Sequence, residues 1–320
     1  MTTVADALYQ WGGVPVGVNP IFNKIMSQPR QSYAKGRAWF VDPSSSRVGN
    51  GKSPNFPFAT MEEAFDALHS GDIIYAAGNI REQLVTPAQV FDVTVIGCGN
   101  RPRNADSTPE GGQYAACTWR APASGGVAAQ ATVRVIQQGW LFYNILFNMI
   151  DANAAGVELV RNAAAGNSER DASHASLIGC RWAGAGVGVR SGVAGLFTEI
   201  VFNVEVAGGK FNGCTTAMSG AAGFGGNSWD IHDNDFHTNT SQIIMALSDS
   251  HIYRNRIGRF TAAANSGGID TRGGGGTNSI TGNFLSGAYS KAGGYNTEAG
   301  DEWWGNFADL AGGVTQADPA

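Results

Sequence analysis

Three six-residue stretches in the second half of the chain follow one pattern: IHDNDF at Ile231–Phe236, IYRNRI at Ile252–Ile257 and ITGNFL at Ile280–Leu285. In each stretch an apolar residue precedes an asparagine by three positions, and a second apolar residue follows that asparagine by two. The asparagines are 21 and 28 residues apart. Repetition at this period indicates stacked units, none of which can bury its apolar side alone.

Each stretch is interpreted as a strand, a bend and a second strand. The first apolar residue faces inward near the end of one strand, and the second faces inward at the start of the next. We expect the bend residue to adopt the left-handed backbone conformation, which asparagine tolerates, and its amide to bond to the asparagine of the next coil. The residues of this predicted bend ladder are Asn144, Cys180, Asn203, Asn234, Asn255 and Asn283, and the stretch around Asn144 takes Leu141 and Leu146 as its apolar pair.

These units predict an all-β chain: a single-stranded right-handed parallel β-helix, or solenoid, with an N-terminal capping helix and an extended N-terminal arm. The 45 glycines and the 15% of charged residues suit short strands and tight turns better than long exposed helices. The alternative fold is a β-propeller, which needs four-stranded blades and a period of about 40 residues. A net charge of −5 gives no basic footprint for nucleic acid or an anionic membrane. The first residues also lack a signal-peptide pattern.

The chain is expected to contain four segments. TMEE at Thr60–Glu63 is a capping box, and the apolar residues after it recur at helical spacing, which predicts one amphipathic helix. The predicted segments are an N-terminal arm or anchor (1–37), an N-terminal cap with the helix at 60–70 (38–92), the coils of the β-helix (93–290) and a C-terminal cap or interaction tail (291–320).

Large apolar side chains near both ends are candidates for contacts with other chains, although those of the arm could instead be buried by the arm folding back on the body. Those in the arm are Trp11, Phe22 and Ile25, and those in the tail are Trp303, Trp304 and Phe307. Because two adjacent tryptophans cannot both face one core, the tail closes the last coil, anchors a neighbouring subunit or stacks on a sugar.

Several motifs resemble those of known β-helix families. PNFPFATMEEA at Pro54–Ala64, GDIIY at Gly71–Tyr75 and GNIRE at Gly78–Glu82 resemble the opening of pectate-lyase-like β-helix proteins, in which the helix caps the N-terminal end of the coil. ADAL at Ala5–Leu8 and GGVPVG at Gly12–Gly17 resemble phage-encoded β-helix virion proteins. The β-helix resemblance covers roughly residues 38–290. It implies the fold but leaves activity open, because enzymes and inert structural proteins share this fold.

The densest polar stretch is DIHDNDFH at Asp230–His237. If Ile231 and Phe236 face inward, His232 and Asp235 point outward and Asp233 lies beside the bend. One strand–bend–strand unit rarely supplies more than two converging ligands, so we predict neither a metal ion nor a cofactor. A glycosidase would need two carboxyl groups in one groove. The candidates for such a site are Asp233, Asp235, Asp249 and Asp270, with Glu199 and Glu205 as further partners for Asp235.

The leading functional hypothesis is a non-enzymatic structural protein of a tailed-phage virion. It would act as a homotrimer that decorates or cements the head, in contact with the major capsid protein or other virion proteins. The alternative is a tailspike-type polysaccharide depolymerase, a glycoside hydrolase or lyase that acts on bacterial surface glycan with outward Asp or Glu. A third hypothesis is a non-catalytic glycan-binding β-helix. On the leading hypothesis the protein is made in the host cytoplasm and resides in the virion.

Overall fold

The computed structural model covers most of the chain from residue 36 onward. The residues it describes are 36–47, 49–98, 117–122, 126, 130–149, 155–161, 171–192, 199–220, 225–258, 268–286, 295–310 and 313–316. The predicted contacts at Trp11, Phe22 and Ile25 lie outside the described residues, as does nearly all of the predicted arm.

The described residues form one short helix and many short strands. The helix is α1 (Met61–Ala67). The strands are β1 (Ala38–Val41), β2 (Ile73–Ala76), β3 (Gly78–Arg81), β4 (Leu84–Val85), β5 (Thr94–Gly97), β6 (Cys117–Arg120), β7 (Val133–Val135), β8 (Leu141–Tyr143), β9 (Leu146–Met149), β10 (Ala155–Leu159), β11 (Ser176–Ile178), β12 (Arg181–Gly184), β13 (Val187–Ser191), β14 (Val201–Phe202), β15 (Glu205–Ala207), β16 (Lys210–Asn212), β17 (Thr216–Gly220), β18 (Gly226–Asn227), β19 (Asp230–His232), β20 (Asp235–His237), β21 (Ser241–Ile244), β22 (Leu247–Ser248), β23 (His251–Tyr253), β24 (Arg256–Gly258), β25 (Ile269–Asp270), β26 (Ser279–Thr281), β27 (Phe284–Ser286), β28 (Tyr295–Asn296), β29 (Glu302–Trp304), β30 (Phe307–Leu310) and β31 (Gly313–Gln316).

These strands build three long sheets and one short one. Sheet 1 runs β1-β2-β5-β8-β11-β15-β19-β23-β26-β29, and sheet 2 runs β4-β7-β10-β13-β17-β21-β25-β28. Sheet 3 runs β3-β6-β9-β12-β16-β20-β24-β27-β30-β31, and sheet 4 contains β14, β18 and β22. The paired strands are parallel except for the last pair, β30 and β31. Successive strands in each sheet come from successive turns of the chain, here called coils. The fold is therefore the predicted parallel β-helix.

Large inward side chains fill the inside of the coil. The inward row of sheet 3 stacks aromatic rings from one coil to the next: the centroids of Phe147 and Trp182 are 6.0 Å apart, those of Trp182 and Phe211 4.2 Å, and those of Phe211 and Phe236 4.7 Å. All four side chains are fully buried. Burial of one such side chain stabilises the fold by roughly 1.5–3 kcal/mol, so this stack is a major part of the core.

An asparagine ladder follows the bend between sheets 1 and 3 through the last four coils. Asn234 donates from Nδ2 to Oδ1 of Asn255 (3.0 Å), and Asn255 donates in the same way to Asn283 (3.0 Å). Asn283 in turn donates to Oδ1 of Asn306 (2.9 Å). The Nδ2 group of each of these four asparagines also donates to a backbone carbonyl of the preceding coil. The predicted stacking of Asn234, Asn255 and Asn283 is confirmed, and Asn306 extends it.

The ladder residues do not themselves adopt the left-handed conformation, which corrects one prediction. The residue before each of them does: φ is +56° at Asp233, +52° at Arg254 and +64° at Gly282. The ladder asparagines point inward instead, where buried backbone amides require acceptors. Cys180 occupies the same inward position two coils before Asn234 and donates from Sγ to the carbonyl of Phe142.

Two members of the predicted ladder lie elsewhere. Asn144 is one residue out of register. Tyr143 pairs with Ile178, and the inward residue of β8 is Phe142 rather than Leu141. Asn144 therefore takes the left-handed position, with φ at +56°, and donates to the Gly97 carbonyl. Asn203 does adopt the predicted left-handed conformation, with φ at +53°, but it follows β14 and so lies at the bend between sheets 4 and 1 rather than between sheets 1 and 3.

The helix confirms the capping prediction with shorter bounds. Thr60 accepts from the Glu63 amide (3.2 Å) and the Glu63 carboxylate accepts from the Thr60 amide (3.1 Å). Glu82, which follows β3, accepts from the amides of Met61 and Glu62 (2.9 and 2.8 Å) and so holds the start of α1. Burial raises the pKa of Glu82, against the lowering effect of these two hydrogen bonds.

The coils extend beyond the predicted boundary at residue 290. β29 pairs with β26 and β30 with β27, so the stretch at 302–310 continues the repeat that it was expected to leave. β31 then pairs antiparallel with β30 along the last strand of sheet 3. At the other end, β1, β2 and β3 already belong to the long sheets, so coil strands also lie within the predicted cap.

Candidate functional site

The Asp230–His237 stretch spans the bend between β19 and β20. Ile231 and Phe236 are fully buried inside the coil, and His232 points to the outside as predicted. His232 is nevertheless only 5% exposed, because the ring of Tyr253 from the next coil stacks on it with centroids 4.8 Å apart and an interplanar angle of 11°. The outward position therefore does not leave this imidazole in solvent.

His232 lies between two carboxylates. Its Nε2 is 3.3 Å from Oε1 of Glu205 in the preceding coil, and its Nδ1 is 2.8 Å from Oδ2 of Asp233. Burial alone lowers the pKa of the imidazole, but the hydrogen bonds to Glu205 and Asp233 outweigh it and raise the pKa of His232 above its usual value. The protonated ring can donate to both carboxylates at once.

Asp233 also binds the guanidinium of Arg254. The two hydrogen bonds, from Nε and Nη2 of Arg254, are 2.8 and 2.7 Å long and form a bidentate pair. Chiefly because of Arg254, the pKa of Asp233 falls to about 2. The same guanidinium lies over the ring of Tyr253, 4.7 Å from its centroid.

Together, Glu205, His232, Asp233, Tyr253 and Arg254 form what we call the His232 cluster. Its members come from three consecutive coils, so its hydrogen bonds cross-link the outer surface of the β-helix along its axis. The His232 ring nitrogens and the Asp233 carboxylate are engaged within the protein. This arrangement is better suited to holding adjacent coils together than to general acid–base catalysis on a substrate.

The four carboxylates predicted for an enzymatic site are not brought together. Asp233 lies at the bend between sheets 1 and 3, and Asp249 at the bend between sheets 4 and 1. Asp270 ends β25 in sheet 2, where it accepts two hydrogen bonds from Arg272 (2.9 and 2.6 Å). Asp249 accepts from Thr277 (2.6 Å) and Asn227 (2.8 Å).

Asp235 is the candidate that remains on an open strand face. It points outward from β20, and its register neighbours on sheet 3 are Lys210 and Arg256. Its suggested partner Glu205 lies on sheet 1, across the bend. Glu199 is 3.8 Å from Arg161, outside both sheets. Within the described ranges, the register positions on either side of Asp235 on this face therefore hold cations and not a second carboxylate.

The tail residues divide between the inside and the outside of the last coil. Trp303 packs against the core, in register with Ile280, whereas Trp304 is 62% exposed. Phe307, on the other side of the same bend, is 47% exposed. Trp304 and Phe307 are thus exposed apolar side chains on either side of this bend, here called the apolar patch, and Trp303 belongs to the core.

Within the described ranges, no group of three or more His, Cys, Asp or Glu side chains is arranged to hold a metal ion. The described residues also contain no helix with the length and hydrophobicity of a transmembrane span.

Sequence reasoning missed most of the His232 cluster. Tyr253 and Arg254 occupy the same template positions as His232 and Asp233, so the repeat did carry a signal that these residues stack in adjacent coils. The sequence suggests Glu205 only as a partner for Asp235. Its contact with His232 joins residues 27 positions apart, through a connection whose length the template does not fix.

Solved structures with a similar backbone are parallel β-helix proteins. YbhC of Escherichia coli is 14% identical, with 83% of this chain and 77% of that chain covered, at a TM-score of 0.50. The pectin methylesterase of Aspergillus niger is 15% identical, with 88% of both chains covered and a TM-score of 0.46. The pectate lyase Pel9A is 13% identical, covering 89% and 78%, at a TM-score of 0.44. The likeness is one of fold. No protein-family model matches the sequence, and a search of curated proteins finds no significant match.

Proposed function

We propose that this chain is a non-enzymatic structural protein of a tailed-phage virion, a homotrimer that decorates or cements the head. The β-helix is the rigid body, and the apolar patch of Trp304 and Phe307 contributes to contacts with neighbouring subunits. The major capsid protein and other virion proteins are the proposed further partners, and the virion is the proposed location.

The engagement of the candidate carboxylates supports the proposal most directly. Asp233, Asp249 and Asp270 each bind side chains of the protein itself, and they lie on three different parts of the coil. Hydrolysis of a glycosidic bond needs two carboxyl groups that flank the same bond. Asp233 and Asp249 bind residues of neighbouring coils, and Asp270 binds Arg272 of its own loop. Carboxylates used in this way are better suited to mechanical rigidity than to that reaction.

The test is reconstitution. Purified protein is expected to have a mass near three times the chain mass of 33.4 kDa by light scattering, and to bind particles that lack it. The particles are made from the encoding phage with this gene deleted. A stable monomer that leaves such particles unoccupied would contradict the proposal.

Asp235 favours a second candidate, the tailspike-type depolymerase. It is an outward carboxylate flanked by two cations on a strand face, and an acidic group on such a face is accessible to a polymer. On this candidate, the protein degrades a bacterial surface polysaccharide, and Asp235→Asn abolishes the degradation. A screen of host surface glycans for loss of chain length, with Asp270→Asn as the matched carboxamide control, separates the two functions.

A further inference from the structure

The outer face of sheet 1 is apolar in its first five strands, β1, β2, β5, β8 and β11. Its outward positions follow from the strand register and from the buried inward residues that alternate with them. One outward row holds Phe40, Tyr75, Ile96, Tyr143 and Ile178, and the other adds Ile73 and Leu141. From β15 onward the same rows hold mainly polar and charged residues, beginning with Glu205 and Asp230.

The middle of this apolar face is buried although it points away from the core. All four outward residues of β5 and β8 are buried: Ile96 is 2% exposed, Leu141 4%, Tyr143 5% and Thr94 7%. In β23, β26 and β29 of the same sheet, whose residues are all described, none of the outward side chains is buried. Neighbours within a sheet cover the flanks of an outward side chain and leave its tip open. The contrast therefore indicates a cover over β5 and β8.

The part of the chain that the structure describes supplies no apolar cover beyond the sheet itself. In that part, the apolar residues packed against Ile96, Leu141 and Tyr143 are Ile73, Tyr75 and Ile178, which all belong to sheet 1. Burial also raises the pKa of Tyr75, as expected of a phenol held away from water. Proteins rarely leave an apolar face of this size bare. The cover is therefore to be sought among the remaining residues.

Two stretches of chain adjoin the covered strands: residues 1–35, which lead into β1, and residues 99–116, which follow β5. The first fits an apolar face, because IFNKIM at Ile21–Met26 carries four large apolar side chains and one charge. Residues 99–116 instead contain four charged residues, and Tyr114 is their one large aromatic or aliphatic side chain. Met26 lies twelve positions before Ala38. That length of chain reaches roughly 40 Å, whereas β8 lies about 15 Å from β1.

We propose that the segment Ile21–Met26 of the N-terminal arm folds back on the outer face of sheet 1 of the same chain and covers β5 and β8. The arm joins the body directly before β1, the first strand of this sheet, so the tether keeps the segment at a high local concentration beside the face. The apolar side chains of the segment and of the face then remove each other from water, which stabilises the contact. This docking goes beyond the proposed function and does not depend on it.

Hydroxyl-radical footprinting of Tyr143, read by mass spectrometry, tests the cover. Phe22→Asp with Ile25→Asp places two charges in the segment and should raise the labelling rate of Tyr143 severalfold, because the ring loses its cover. Deletion of residues 2–34 should have the same effect. The matched control is Gln28→Asp with Gln31→Asp, which adds the same charge at polar positions of the arm and should leave the rate unchanged. Tyr253 lies on the same face beyond its apolar part, so an unchanged rate there shows that the coils remain folded.

A second control replaces residues 101–114 with a short Gly/Ser linker, and Tyr143 should stay protected in that variant. If Tyr143 stays protected after the arm is deleted, or becomes labelled in the linker variant, the assignment of the cover to the arm is overturned. Protection that disappears when the wild type is diluted until it is monomeric would assign the cover to the arm of a neighbouring copy and overturn docking within one chain. A wild-type chain that is monomeric and still protected supports the docking and contradicts the proposed homotrimer alone.

Discussion

At the scale of single residues, His232 combines an outward position with nearly complete burial. Because it is held between Glu205 and Asp233, its pKa in the folded protein is above the unfolded value of 6.5. A group whose pKa is raised on folding stabilises the protein fully below its unfolded pKa, and that contribution is lost as the pH rises through the folded pKa. Asp233 has the opposite dependence: its depressed pKa stabilises the fold above about pH 4, and the effect disappears as the pH falls toward 2.

We therefore expect His232→Gln to lower the free energy of unfolding more in mild acid than in mild base. The loss at about pH 5.5 should be roughly 1–2 kcal/mol, the size of one or two charge-assisted hydrogen bonds, and it should shrink by about pH 8.5. Urea unfolding at both values measures it. His251→Gln is the control, because His251 and its partner Asp230 are 62% and 52% exposed and such surface pairs contribute little. A loss that is equal at the two pH values would contradict the assigned role of His232.

At the scale of elements, the bend between sheets 1 and 3 shows what the repeat can predict. The spacing of apolar residues around Asn234, Asn255 and Asn283 predicts the correct register. The short strands fix the number of residues between each inward apolar side chain and the inward asparagine. The prediction failed at Asn144, since asparagine also suits the left-handed position one residue earlier. Spacing alone cannot distinguish the two positions.

The same limit explains why the contacts within the candidate site could not be predicted from the sequence. The strand pattern placed His232 and Asp235 outside the coil, because side chains alternate along a strand. Which residues they meet depends on the neighbouring coils, and the connections between coils vary in length. The pairing of His232 with Glu205, and the separation of Asp233, Asp249 and Asp270 onto different parts of the coil, were therefore beyond the reach of the sequence pattern.

The ladder makes a quantitative prediction at this scale. Asn255→Ala removes an acceptor for the backbone and side-chain amides of Asn234 and a donor to the carbonyl of Ile231. These groups stay buried without partners, so the free energy of unfolding should fall by about 2–4 kcal/mol. Asn79→Ala, on the exposed side of β3, should change it by less than about 0.5 kcal/mol. Denaturant unfolding of the two variants checks the difference, and equal effects would mean that the ladder amides do not support the fold.

At the scale of the whole molecule, a stack of parallel coils leaves a sheet edge at each end. Such an edge presents unpaired backbone groups to any other strand, and proteins cover or close it. At the C-terminal end, β31 pairs antiparallel with β30, from Phe307 opposite Gln316 to Leu310 opposite Gly313. The return strand covers the last strand of sheet 3 with the chain's own backbone.

Deletion of residues 311–320 removes β31 and should leave the edge of β30 open. We expect the truncated protein to form heterogeneous species larger than a trimer, in amounts that grow with protein concentration, because open edges add strands from other molecules. Size-exclusion chromatography with light scattering measures this. Deletion of 317–320 keeps β31 intact and is the matched control, expected to retain the wild-type mass. If both truncations behave alike, the antiparallel strand is not what keeps the end of the β-helix from associating.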